Sequence, residues 1–118
     1  MAKLEVKNLT KPDEQKVFAG AKGGVDLFKI GAETVVRAVM EPGWQCSKHA
    51  KSLSGTKSCQ SEHFGYVFTG HMKVVMDSGE EAEIGPGDVF IIPPGHDAWT
   101  LGHHPCEILD FRGMKVAG

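Results

Sequence analysis

A chain of 118 residues fits one domain and can bury one core but not two. Apolar residues at 41% and charged residues at 24% are ordinary for a soluble globular protein, and a formal charge of -2 offers phosphates no basic stripe, which argues against nucleic acid as a partner. No run approaches the roughly eighteen apolar residues of a membrane span, and the opening "MAKLEVKNLTKPDEQ" lacks the apolar stretch of a secretory signal.

Fifteen glycines and six prolines favour a turn-rich β protein. Apolar spacing is mostly two, and Gly or Pro interrupts it at short intervals, so no helix is predicted. In chain order the predicted strands are "KLEVKNL", with weak alternation, then the short "KVFAGAKGG". "VDLFKIG" follows, with Val25, Leu27 and Lys29 on one face, and then "ETVVRAVMEPG", stopping at Pro42-Gly43. "HFGYVFTG" and "HMKVVMDSG" read as a hairpin about Thr69-Gly70. "EEAEIGPGD", "VFIIPPG", "AWTLG" and "CEILDF" complete the set. Short strands at this spacing predict a sandwich or barrel. Between them "CSKHAKSLSGTKSCQSE" is polar and reads as a long loop, either a functional segment or a solvated insertion.

Three cysteines, Cys46, Cys59 and Cys106, make an odd count without framework spacing. That favours free thiols and a reducing cytoplasm over a disulfide. Cys46 and Cys106 read as packing residues. "PPG" ends the apolar run "VFII", because proline cannot donate to a strand ladder.

Two glycine-marked stretches resemble the paired motifs of the cupin superfamily, in particular a small single-domain subgroup. In the first motif of that family a Gly precedes, by five residues, His-x-His, then a Glu and a closing Gly. Here Gly43 is followed at that distance by His49, and Gly70 is preceded by His63 at the Glu position. Cys59 stands where the second His would fall counting back from His63, and Lys51 counting forward from His49. The second motif is matched by "GDVFIIPPGHDAW", with Pro93 and Gly95 in place, Ala98 at the His position and His96 two residues earlier. The resemblance implies one antiparallel β-barrel, or jelly roll, over 1–118, with N-terminal strands in 1–30 and the motif-bearing barrel in 43–111.

Side chains alternate along a strand, so His63, Gly65, Val67 and Thr69 share one face, and Phe64, Tyr66 and Phe68 the other. The resemblance turns the His63 face inward, and Cys59 has the same parity. Glu62 lies opposite. The implied metal ligands are His49, His63 and His96, with Cys59 as a fourth. Imidazole and thiolate suit Zn²⁺, whereas Mg²⁺ and Ca²⁺ want oxygen. Three histidines alone would leave an open position and admit Fe²⁺ or Ni²⁺ as well. The same residues admit a plain packing role: a neutral core imidazole satisfied by backbone, and a cysteine as a small apolar group. Trp44 and Trp99 are candidates to line a pocket at the barrel mouth, Asp97 to orient a ligand imidazole, and Gln60 to support the site. His71, His103 and His104 read as surface residues.

Two functions stay open. One is a metal-dependent enzyme acting on a small organic molecule; the other is a barrel that binds or senses a small molecule without metal. The aromatic row Phe64, Tyr66 and Phe68 needs cover on its outer face, and a homodimer is the expected source.

Overall fold

Runs of β-branched and aromatic residues at period two, cut by glycine and proline, dictate short strands, and nine form among the described residues. The computed structural model describes residues 3–50 and 59–112. The strands are β1 (Glu14–Val17), β2 (Gly23–Ile30), β3 (Glu33–Met40), β4 (His63–Thr69), β5 (His71–Met76), β6 (Glu81–Ile84), β7 (Val89–Ile92), β8 (His96–Leu101) and β9 (Cys106–Asp110). Among the described residues the only helical pieces are single turns, Ala19–Ala21 and Cys46–Ala50. No helix there is long and apolar enough to cross a membrane.

The strands form two antiparallel sheets, ordered β1-β2-β3-β9-β4-β7 and β6-β5-β8. The sheets are not joined into a closed ring, but both contribute to one core, in a cupin-type jelly roll. Leu27, Val36, Val67, Ile92 and Ile108 enter it from the larger sheet, and Met72, Val74 and Ala98 from the smaller. Alternation sets the inward faces: Cys106, Ile108 and Asp110 of β9, and His96, Ala98 and Thr100 of β8, are all buried.

Two expectations, the strand "KLEVKNL" and the hairpin about Gly70, are corrected here. "KLEVKNL" forms no strand; Leu4 and Val6 are exposed, and the first strand begins at Glu14. Its weak alternation supplies no apolar face to bury. On the face shared by Val25 and Leu27, Lys29 near the end of β2 is exposed. The pair "HFGYVFTG" and "HMKVVMDSG" is not a hairpin. β4 bonds to β7 and β9, while β5 bonds to β6 and β8, so the chain crosses between sheets at Gly70. Gly70 has φ of 79°, and a Cβ there would lie 2.2 Å from the Pro105 carbonyl oxygen, so the crossing admits no side chain.

Candidate metal centre

His63 opens β4 and points inward, as its parity with buried Gly65 and Val67 requires. Gly65 pairs with Asp110 of β9, and a Cβ on it would lie 1.8 Å from the Leu109 carbonyl oxygen. The bare glycine lets the two strands meet closely where His63 must reach Asp110. The His63 Nδ1 lies 2.6 Å from Asp110 Oδ2. Asp110 Oδ1 accepts the backbone N–H groups of Phe64, at 3.3 Å, and Arg112, at 3.0 Å. Burial pushes the Asp110 carboxyl up, but the His63 bond and charge and the two backbone donors outweigh it and hold the group below its ordinary value. Asp110 is therefore a carboxylate. It accepts from Nδ1–H and leaves Nε2 as the ring nitrogen with a lone pair to offer.

His96 opens β8 and is almost wholly buried. Pro93-Pro94-Gly95 ends β7, and the Pro93 carbonyl lies 2.8 Å from His96 Nδ1. A carbonyl can only accept, so Nδ1 carries the proton and Nε2 is again the lone-pair nitrogen. Burial lowers the pKa of this imidazole most, with the neighbouring His63 adding to the effect. The rings of His63 and His96 stand 5.1 Å apart at 70°.

Beside His96 lie Cys46 and Cys59, joined in a disulfide with Cα atoms 6.6 Å apart. The two sulfurs and a ring nitrogen of His96 all fall within 4.8 Å of one another, which makes this the one group of metal-capable side chains of its kind among the described residues. Cys59 is held by its backbone: its N–H donates to the His96 carbonyl at 2.8 Å, and its carbonyl accepts from Gly95 at 2.8 Å and His96 at 3.2 Å. Cys46 sits on the turn Cys46–Ala50, anchored by Asp97. That carboxylate accepts from Ser47 N–H at 3.0 Å, Ser47 Oγ at 2.8 Å and Gln45 Nε2 at 2.6 Å. Burial raises the Asp97 pKa, and these bonds more than reverse that, leaving it below its ordinary value.

The disulfide corrects the reading of all three cysteines as free thiols and of Cys46 as mere packing. The spacing argument failed because the bond joins the two ends of one long loop, a distance that sequence does not reveal. Cys106 alone is free; it is fully buried, and burial pushes its thiol up to about 11.

The remaining candidates are scattered, some beside this centre and others away from it. His49 accepts the Gln45 N–H on Nδ1 at 2.9 Å and lies beside Gly20, outside the group formed by His96 and the two sulfurs. Asp97 braces the turn that carries Cys46. Trp44 is buried against Phe18, with ring centroids 5.3 Å apart, and its Nε1 has no hydrogen-bond partner among the described residues. Trp99 lies half-buried on the outer face of β8, with parity opposite to His96. Gln60 is exposed next to Cys59. Lys51 lies outside the described residues. Glu62 is exposed and pairs with Arg112 at 3.3 Å. His71, His103 and His104 border a shallow groove of about 600 Å³ by Thr69 and Leu101, at the opposite ends of β4 and β8 from His63 and His96.

Sequence reasoning missed Cys46 and Asp110. The signal for Asp110 was available: it shares parity with Cys106 and Ile108 on the inward face of "CEILDF". A carboxylate on an apolar face needs a partner.

As a donor set, two imidazoles with Nδ1 already engaged and Nε2 unprotonated fit a borderline divalent ion such as Zn²⁺. The sulfurs fit it only as thiolates, because a disulfide sulfur is no substitute.

Comparison with known proteins names the class. The family model for the cupin domain matches residues 54–112, half of the chain, and the protein belongs to the cupin family. Among solved structures it resembles the polyketide cyclase RemF of Streptomyces resistomycificus, at 19% identity and a TM-score of 0.67, over 98% of this chain and 83% of that one. It also resembles a Klebsiella pneumoniae protein described as having a double-stranded β-helix domain, at 18% identity and 0.59, over 85% and 84%. The oxalate decarboxylase of Lactobacillus farciminis, in its formate complex, matches at 20% and 0.59. This chain covers 86% of itself in that match but only 32% of the decarboxylase. These identities speak for the fold alone. No curated protein matches the sequence.

Proposed function

We propose that this cupin is a metal-dependent enzyme acting on a small organic molecule, with His63 and His96 as imidazole ligands. The observation that carries the reading is the paired arrangement of those rings. Each is fixed through Nδ1 by an acceptor, Asp110 or the Pro93 carbonyl, and each keeps Nε2 for a ligand role. A purely structural histidine has no need of a second one edge-on at 5.1 Å. A divalent ion bound there would polarise a substrate oxygen or lower the pKa of a bound water. The protein's own groups orient the rings, exclude water through burial, and provide Asp110 to hold the proton on His63 Nδ1. Two fold neighbours named as enzymes, a polyketide cyclase and an oxalate decarboxylase, are consistent with a catalytic barrel.

The test is elemental analysis of protein expressed in metal-replete medium and purified in reductant without chelators, wild type against His63→Ala. One divalent ion per chain, lost in the variant, is expected. Metal absent from both proteins would leave the second reading, a metal-free barrel that binds a small molecule, which the disulfide favours because it removes two thiolates from the donor set.

We further infer that a second copy of the chain is the partner. On the outer face of β4 and the edge strand β7, Tyr66 pairs with Val89 and Phe64 with Ile91, and Val89 and Ile91 are 70% and 57% exposed. Phe111 extends the patch, and an uncovered apolar edge of this kind invites association.

A further inference from the structure

We propose that the Cys46–Cys59 bond is a redox gate on the metal centre: opened, its two thiolates join His96 in holding a Zn²⁺-class ion, and closed, they cannot. The proposal rests on the metal reading above and adds the regulation of that site.

Geometry carries it. Each cysteine is fixed beside His96 by contacts that do not involve the S–S bond. Three backbone hydrogen bonds hold Cys59 to Gly95 and His96, and Asp97 grips the turn of Cys46 through Ser47 and Gln45. Breaking the disulfide therefore leaves the backbone of both cysteines in place, with only the side chains free to rotate. Two thiolates sharing a tetrahedral Zn²⁺ at the usual bond length sit about 3.8 Å apart. The sulfurs and the His96 nitrogen already lie within 4.8 Å of one another, so small side-chain rotations reach that arrangement. The ring of His63 supplies a further imidazole at hand. Two sulfurs with one or two imidazoles is a donor set typical of zinc.

Chemical balance is simple. A dithiol reductant delivers two electrons and two protons, the S–S bond breaks to two thiols, and the reductant becomes its own disulfide. Binding the ion then displaces both thiol protons, because only thiolates coordinate. Oxidation reverses the sequence, re-forming the S–S bond and expelling the ion. The buried setting disfavours free thiolates, so the ion and the S–S bond are alternative ways of stabilising the same pair of sulfurs.

The experiment uses the full chain, apo, in two states: oxidised, and reduced with a phosphine that is then removed. Zn²⁺ affinity is measured by competition with a chromophoric chelator, and free thiols are counted in parallel. The reduced chain is expected to bind one Zn²⁺ more tightly than the oxidised chain by more than about 100-fold, beyond the cost of losing a mere supporting residue. Adding a disulfide-forming oxidant should release the ion as two thiols disappear. In Cys46→Ser this release should vanish. Co²⁺ in the reduced wild type should give a thiolate-to-metal absorption band, a readout that needs no variant to fold. Equal Zn²⁺ affinity in the two states, or bound Co²⁺ without that band, would overturn the gate while leaving the metal reading intact. Zn²⁺ bound in neither state would sink both.

Discussion

His63 and His96 face each other across the core, yet the protein holds them by opposite means. His63 is half-buried and leans on the Asp110 carboxylate, which accepts from its Nδ1–H. His96 is almost fully buried and leans on a neutral carbonyl, and burial disfavours its charge. The pairing teaches that one site can orient two imidazoles alike, each with Nδ1 engaged, through a buried carboxylate in one case and a backbone carbonyl in the other.

The contrast can be broken at its stronger end first. Asp110→Ala removes the carboxylate that both orients His63 and accepts two backbone donors. It should cost about 3 kcal/mol of stability, measured by urea denaturation, as expected for breaking a buried charged network. A loss below about 1 kcal/mol would place Asp110 among ordinary solvated carboxylates.

Next in size is a pH effect of opposite origin. The folded-state pKa of His96 is depressed from 6.5, so below that value the unfolded chain takes up a proton that the folded chain refuses. Stability of the metal-free protein should therefore begin to fall as pH drops through about 6.5. Asp97 and Asp110 are also depressed, and their contribution is present above about pH 4 and lost as pH falls through their folded values. Thermal melts across this range should show two steps, and His96→Gln should erase the upper one only.

Smaller again, Asp97→Ala frees the turn of Cys46 and should cost about 1 kcal/mol. Because it disturbs the sulfurs and not His63, it should weaken Zn²⁺ binding by the reduced chain while His63→Ala weakens it in either redox state; equal effects would merge the two halves of the site. The smallest change in stability is expected on the outer face. Ile91→Lys should stay within about 0.5 kcal/mol of wild type while halving the mass seen by light scattering. An unchanged mass would remove the proposed self-association.

Much of the fold was legible because alternation and turn residues are local signals. "VFII" followed by Pro93-Pro94-Gly95 announced β7 and its end, and parity put His63 on one face with Val67, a face that the cupin resemblance turned inward. What escaped was non-local. Nothing near Thr69-Gly70 says that the next strand belongs to the other sheet, since a hairpin and a crossing need the same glycine; the difference lies in the pairing partners, β9 for β4 and β8 for β5, both distant in sequence. The partnership of Cys46 with Cys59 likewise depends on β8 bringing Asp97 to one cysteine and His96 to the other. His49 kept its motif distance from Gly43, yet the turn Cys46–Ala50 directs its ring to the Gln45 N–H. Spacing records where a residue falls in the chain, but the local turn decides where its side chain goes.

The Cys46–Cys59 bond has a topological consequence as well. It closes positions 47–58 into a covalent ring. A protease that nicks the chain inside that ring severs the backbone without separating the halves. The two pieces, one carrying β1 to β3 and the other β4 to β9, would run as a single band on a gel until thiol is added.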